Sequence, residues 1–127
     1  MNLPRAVLWL TSVGFVGFGL AFTLWPTPLA HAIGIELPTS TALVDFTATY
    51  GGFELGFGAF LAMCARRADW TRAGLWAGAA ALTGCAVVRL AGMTLASGPI
   101  DTALYVAIAL EVGGAAANMW AIRRVRN

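Results

Sequence analysis

Four long apolar stretches, separated by connections that contain proline, glycine or charged residues, dominate the chain. Each stretch has about the 20 residues that a helix needs to cross a bilayer. We predict membrane-spanning helices over residues 4–25, 41–65, 70–96 and 101–123. The apolar segment 29–38 is too short to span, so it predicts a short helix lying at the membrane interface between the first two spans.

Composition supports an integral membrane protein. Of 127 residues, 59% are hydrophobic and only 11% are charged, which leaves too little polar surface for a soluble domain. The mean hydropathy is +0.76. The short connections after the second and third helices make those helices antiparallel neighbours. We therefore predict one all-α domain over residues 1–127, an up-down bundle of four transmembrane helices.

The arginines predict the orientation of this bundle. All eight basic residues are Arg, and seven of them lie in the N-terminal segment, the connection 66–72 and the C-terminal tail. The other two connections contain neither Lys nor Arg, so the positive-inside rule places both termini in the cytoplasm. The first apolar segment is too long for a cleavable signal peptide and ends in Trp25-Pro26. Basic residues at helix ends explain the net charge of +2 without nucleic-acid binding.

Apart from the charged residues at the helix ends, the predicted spans contain four charged residues: Asp45, Glu54, Arg89 and Glu111. Such residues are costly in hydrocarbon and usually face a partner, a cavity or a substrate. Asp45 and Arg89 are expected at similar heights on neighbouring helices, so we predict that they pair. Two interpretations of that pair stay open. It docks two helices, or Arg89 binds an anionic headgroup through its planar fork.

Glu54 and Glu111 are the candidate acid-base residues. One Arg cannot neutralise three buried carboxylates, so we expect at least one to be protonated and able to donate a proton. Tyr50 lies one turn from Glu54 and is the expected hydrogen-bond partner. The alternative is structural: the two glutamates share a proton, or bond to the backbone and to Asn118.

Aromatic and small residues suggest where a ligand and a partner helix would lie. Phe22 and Trp25 continue an aromatic stripe on the first helix, which is read either as lipid contact or as one wall of a ligand cavity. Asn118 shares the face of Glu111. Gly52 and Gly56 form a GxxxG pattern typical of close helix contact, including a homodimer.

No metal site or cofactor is predicted. His31 is the only histidine, and Cys64 and Cys85 lie in different segments, so the usual zinc and copper ligand spacings are missing. The cysteines are read as small packing residues, and His31 as exposed.

The run Tyr50–Gly58, with Arg89, Gly98 and Glu111, resembles a group of small bacterial four-helix membrane proteins of unassigned function. Their architecture is similar to that of DoxX-like proteins. In similar proteins an Arg often stands where this chain has Thr47, so Glu54 lacks that counter-charge here. The association of DoxX-like proteins with quinone-linked redox systems implies a quinone-like ligand or a partner subunit.

Three functions are compatible with these features. The first is binding of a lipid-, isoprenoid- or quinone-like ligand. The residues expected to line its site are Arg89, Asp45, Asn118, Trp25 and Phe22. If the protein is an enzyme, we expect an acid-base isomerase or cyclase that uses Glu54, Glu111 and Tyr50. The second is a non-enzymatic accessory or assembly subunit of a membrane complex. The third is a small proton-coupled transporter, although the two halves show no inverted repeat.

Overall fold

The computed structural model describes residues 2–125, which contain helices and no strand. Six α-helices are labelled in chain order. The third and fourth are joined by a π-helical segment, and the fifth is preceded by a short 3₁₀ turn. They are α1 (Leu3–Leu24), α2 (Pro26–Ala32), α3 (Ser40–Phe46), the π segment (Thr47–Phe53), α4 (Glu54–Arg66), the 3₁₀ turn (Ala68–Trp70), α5 (Thr71–Leu95) and α6 (Thr102–Ile122).

Three helical stretches are long and apolar enough to cross a membrane, so the protein is a membrane protein by this criterion. They are Leu3–Leu24, Ala68–Leu95 and Thr102–Ile122. The prediction of one α-helix over residues 41–65 is wrong in detail. The chain there is helical from Ser40 to Arg66, but the π segment divides it into two shorter α-helices.

Local capping explains where these helices begin and end. The Asn2 side chain accepts a hydrogen bond from the Arg5 amide, and the Thr39 hydroxyl accepts one from the Ala42 amide. Pro26 occupies the first turn of α2, where a missing N–H is harmless. The predicted short helix therefore begins earlier than expected. It ends at Ala32, and Gly34 beyond it, with a φ of 75°, allows a Schellman-type stop.

α1 packs most closely against α4 and the π segment, and α5 packs most closely against α6. The close approach of α1 requires glycine on the facing helix. A Cβ at Gly58 would lie 2.7 Å from Val16 Cγ2, and one at Gly51 would overlap the Thr23 hydroxyl. Ser12 adds a buried hydrogen bond of 2.8 Å to the Gly58 carbonyl. Two tightly packed helix pairs thus form the molecule.

The hydrophobic core lies at the arginine-rich end of these pairs. Its central residues are buried side chains from α1, α4, α5 and α6: Leu8, Leu61, Cys64, Ala65, Leu75, Ala121 and Ile122. At this end Arg5 donates from Nε to the Ala65 carbonyl at 2.8 Å and also to the Arg66 carbonyl. A cation placed on the last carbonyls of α4 stabilises that helix end. The N-terminus, the 66–72 connection and the end of α6 therefore lie together, as the arginine pattern predicts.

The opposite half of the molecule is open. The second half of α5 and the first half of α6 expose most of their apolar side chains, including Val88, Leu95 and Tyr105. Gly84, Gly92 and Gly113 have no atom within 4 Å of an added Cβ. The π segment packs mainly on α1, and α3 packs mainly on the π segment, so the contacts between the two helix pairs come from α1, α4, α5 and α6, the helices that build the core.

The second predicted helix has two faces, a first with Gly51, Glu54 and Gly58 and a second with Asp45, Gly52 and Gly56, and only the first is covered. Gly51 and Gly58 are buried and Glu54 is half-buried, whereas Asp45, Gly52 and other residues of the second face are exposed. Gly52 and Gly56 have no atom within 4 Å of an added Cβ, so no other helix of this chain contacts them closely. The face with Gly51 and Gly58 is buried because α1 covers it. No other helix of the described chain covers the face with Gly52 and Gly56.

Candidate functional site

An ion pair joins α5 to α6 in the open half of the molecule. Arg89 Nε lies 2.8 Å from Glu111 Oε1 and donates a hydrogen bond to it. The two side chains differ in exposure: 36% of the Arg89 side chain is accessible, against 12% of the Glu111 side chain. The acid is thus held inside the helix pair, and the guanidinium extends to the surface.

The helix positions explain why these two side chains meet. One face of α6 is buried or partly buried and follows helical spacing. It is formed by Leu104, Ile108, Glu111, Ala115 and Asn118. α5 packs along this face. Arg89 lies in the last third of α5 and Glu111 near the middle of α6, so the long Arg side chain spans the small difference in height.

Glu54 is the third charged member of the cluster. It is the first residue of α4, directly after the π segment, and its carboxylate interacts electrostatically with Arg89. Its Oε2 atom is buried and has no hydrogen-bond partner within residues 2–125. The same is true of Glu111 Oε2. Buried polar atoms are nearly always bonded in folded proteins, so two unpaired carboxylate oxygens around one arginine mark this cluster as unusual.

The cluster offers both donors and acceptors to a bound group. Arg89 uses Nε for Glu111, and its terminal Nη1 and Nη2 atoms have no hydrogen bond to residues 2–125. The acceptors are Glu54 Oε2 and Glu111 Oε2. With both acids ionised, the three side chains together would carry one negative charge. The arrangement can therefore hold a polar group, or pass a proton between two carboxyl groups.

Aromatic rings of α1, α3 and the π segment form a group that reaches the cluster through Tyr50. Phe46 stacks on Tyr50 with ring centroids 4.6 Å apart, and Phe22 lies 5.6 Å from each of them. Tyr50 interacts electrostatically with Arg89. The predicted hydrogen bond from Tyr50 to Glu54 is not formed, because the Tyr50 ring lies against Phe46, one turn back along the chain.

Two members of this neighbourhood were not among the predicted site residues. Phe46 is buried at the centre of the aromatic group, and its spacing of four from Tyr50 was the available signal. Cys85, one turn before Arg89, interacts electrostatically with Glu54, Arg89 and Glu111. It is exposed, whereas Cys64 is buried in the core. The spacing of four from Arg89 places Cys85 on the same helix face.

The predicted pair of Asp45 and Arg89 is wrong. Arg89 bonds to Glu111 instead, and Asp45 is exposed on α3, where it lines a shallow groove with Ser40, Thr41, Val44 and Ala48. The similar heights of Asp45 and Arg89 in the membrane were not enough to bring them together, because α3 does not pack on α5. Glu111 lies on the helix that does.

Two further predicted ligand residues lie apart from the cluster. Trp25 follows the end of α1 and 59% of it is exposed. Asn118 is fully buried two turns after Glu111, about 10 Å along the helix. It donates to Thr11 Oγ1 and to the Gly114 carbonyl, both at 2.8 Å, and thereby connects α6 to α1.

Metal ligands are not gathered anywhere in the described part of the chain, which contains no group of three or more His, Cys, Asp or Glu suited to an ion. His31 is exposed and lies 3.4 Å from Glu36.

Comparison with known proteins identifies a family but no activity. No curated protein and no solved structure matches the chain. A family model described as a domain of unknown function, DUF4345, matches residues 3–122, nearly the whole length. The chain therefore belongs to the DUF4345 family.

Proposed function

We propose that this protein crosses a bacterial cytoplasmic membrane four times, with both termini in the cytoplasm. α3, the π segment and α4 together would form the remaining span. The helical chain from Ser40 to Arg66 exceeds the length that a hydrocarbon core of about 30 Å requires. The orientation rests on the seven arginines at one end of the bundle. The bacterial origin and the likeness to DoxX-like proteins rest on the residues around Tyr50–Gly58.

Within that membrane, the function that the geometry supports best is binding of an amphiphilic small molecule, a lipid-, isoprenoid- or quinone-like ligand. Its polar head would contact Arg89, Glu54 and Glu111. Its apolar part would lie between the two helix pairs, beside Phe22 and Phe46. The observation that carries this proposal is the pair of buried, unpaired carboxylate oxygens beside an arginine that is one-third exposed. Polar and ionised residues kept inside a membrane commonly mark ligand or proton pathways.

A catalytic version of this function is an acid-base isomerisation or cyclisation of the ligand. Glu54 would transfer a proton at the head, and Glu111, held by Arg89, would be the second carboxyl group. Two carboxyl groups in different environments suit such roles, because one is paired to a cation and the other is not. Tyr50 would position the ligand through its ring, since it has no bond to Glu54.

The experiment is a search for a ligand that copurifies with the protein. The protein is purified in mild detergent and extracted with organic solvent, and the extract is analysed by mass spectrometry. We expect one enriched isoprenoid, quinone or lipid species in wild type, and its loss in Arg89→Ala. Glu36→Gln is the matched control, because Glu36 is exposed outside the helix pairs. Bulk membrane lipid alone, unchanged in Arg89→Ala, would contradict the proposal.

The alternative is a non-enzymatic accessory or assembly subunit. The observation that favours it is the uncovered face with Gly52 and Gly56, next to the exposed Phe53 and Phe60. Small residues let helices of two membrane proteins approach closely. In this case a larger membrane protein, or a second copy of this chain, should copurify at low detergent. Gly56→Leu should then abolish that association and leave ligand content unchanged.

A further inference from the structure

The head of the ligand can be specified further from the atoms that are left to bind it. This inference rests on the function proposed above. We propose that the ligand carries a neutral hydroxyl group, an alcohol or a phenol, at the end that meets Arg89, and that the site disfavours phosphate, carboxylate and ammonium heads.

The cluster has free donor atoms and free acceptor atoms. The guanidinium offers N–H donors at Nη1 and Nη2, because its Nε is already used by Glu111 Oε1. The glutamates offer Glu54 Oε2 and Glu111 Oε2. A head that satisfies both kinds of atom must accept from the arginine and donate to a carboxylate. A hydroxyl is the smallest group that accepts and donates through a single oxygen.

Charge distinguishes the hydroxyl from anionic heads. One arginine faces two carboxyl groups, so an added phosphate or carboxylate would place at least two negative groups beside one cation. Like charges close together in a medium of low dielectric repel strongly. A carboxylate or a phosphate dianion also lacks the donor that the buried carboxylate oxygens need.

An ammonium head fails because it can only donate hydrogen bonds. It donates to the carboxylates, but it has no acceptor for Nη1 and Nη2, so those donors stay unsatisfied. A hydroxyl adds no charge, so it leaves the pair of Arg89 and Glu111 intact. It also fits whether Glu54 is ionised or protonated, because a hydroxyl can accept from a carboxylic acid as well as donate to a carboxylate.

The test uses four photoactivatable probes that share one alkyl chain with a diazirine and differ only in the head: hydroxyl, carboxylate, phosphate monoester and ammonium. Each probe is mixed at the same mole fraction into phosphatidylcholine vesicles that contain the full-length protein. After illumination, mass spectrometry of peptides measures labelling near Cys85, Arg89 and Glu111. We expect the alcohol to label these peptides about tenfold more than the other probes, because it makes two additional hydrogen bonds.

Two variants make the result specific to the site. Arg89→Met removes the donors, and Glu54→Leu removes an acceptor without breaking the pair of Arg89 and Glu111. Each should reduce alcohol labelling several-fold, and Glu36→Leu should not change it. The Glu54→Leu variant keeps the test valid if Arg89→Met fails to fold.

The outcomes separate this inference from the function on which it rests. Preference for the carboxylate or phosphate probe that is lost in Arg89→Met, or for the ammonium probe that is lost in Glu54→Leu, would overturn the hydroxyl assignment and leave the binding site in place. Equal labelling by all four probes, unaffected by the variants, would overturn both. Preference for the alcohol that survives both variants would also overturn the inference, because the head would then bind elsewhere.

Discussion

At the scale of single residues, Arg89 and Glu111 carry most of the chemistry of this molecule. An arginine in a membrane-spanning helix is costly unless it is paired or reaches water. Here it is paired through one hydrogen bond of 2.8 Å, and Glu111 is the more deeply buried partner. Removing one member of such a pair leaves the other uncompensated, which costs more than removing both.

This asymmetry gives a stability prediction. Glu111→Leu alone should lower the free energy of unfolding by about 1–3 kcal/mol, because Arg89 then loses its partner while it stays partly exposed. The double variant Arg89→Met/Glu111→Leu should be less destabilised than the sum of the two single variants. Denaturation in mixed micelles followed by circular dichroism provides the measurement. Strictly additive losses would show that the pair contributes no coupling.

A second residue-scale prediction concerns Asn118. Its amide is fully buried and bonds to Thr11 on α1, so Asn118→Leu leaves the Thr11 hydroxyl without that donor. The loss should be about 0.5–2 kcal/mol, the range for interhelical hydrogen bonds in membranes. Copurified ligand should be retained, because Asn118 lies two turns from Glu111. Loss of ligand without loss of stability would instead place Asn118 in the binding site.

The candidate residues could be found from the sequence, but their pairing could not. The free-energy cost of placing a charged side chain in hydrocarbon was enough to identify Asp45, Glu54, Arg89 and Glu111. The error was to pair Asp45 with Arg89 by height, because helix lengths say nothing about which faces meet. The helical face from Leu104 to Asn118 was visible in the spacing and is the face that α5 covers. Combining that face with Arg89 would have given the observed pair.

At the scale of helices, glycines decide which elements approach closely. Gly58 lies against α1, whereas Gly56, two residues away on the same helix, meets open space. Gly58→Ala should cost about 1–3 kcal/mol, because the added methyl overlaps Val16. Gly56→Ala should be neutral or stabilising by up to about 1 kcal/mol, since Ala favours helix over Gly. Thermal denaturation of both variants in one detergent compares them directly. Equal destabilisation would contradict this packing.

The π segment is the element that the sequence did not reveal. Hydrophobic periodicity predicted a continuous α-helix. A π turn differs from an α turn in its backbone hydrogen bonds, and this difference leaves no mark in the types of residue. Thr47 donates from its hydroxyl to the Leu43 carbonyl at 2.8 Å, and Gly51-Gly52 lies within the segment. Ser and Thr bonds of this kind bend helices, and π turns are frequent at functional sites. The segment ends immediately before Glu54.

At the scale of the whole molecule, one end is packed and the other is open. The packed end carries the arginines and the core around Leu8, Leu61 and Leu75. The open end carries Arg89, Glu111 and the exposed apolar halves of α5 and α6. The hydropathy of the sequence was sufficient to locate the apolar segments, since each is a continuous run of apolar residues. It could not show the opening, because lipid-facing and cleft-facing residues are equally apolar.

The orientation of the molecule yields a prediction that concerns the arginine-rich end. Reporter fusions after Asn127 should be active only for a reporter that works in the cytoplasm, such as a green fluorescent protein. Fusions within the 96–101 connection should be active only with a periplasmic reporter, such as alkaline phosphatase. Activity of the periplasmic reporter at Asn127 would invert the proposed topology and place the cluster near the cytoplasmic surface.

The most direct test of this account is a measurement of the Arg89 side chain by nitrogen-15 NMR of the protein in detergent. The Nε–H signal is assigned by its disappearance in Arg89→Lys. We predict that it is protected from exchange, moves strongly in Glu111→Gln, and stays in place in Asp45→Asn. It should also move when a long-chain alcohol is added. A signal that is insensitive to Glu111→Gln and moves in Asp45→Asn would contradict the cluster of Glu54, Arg89 and Glu111.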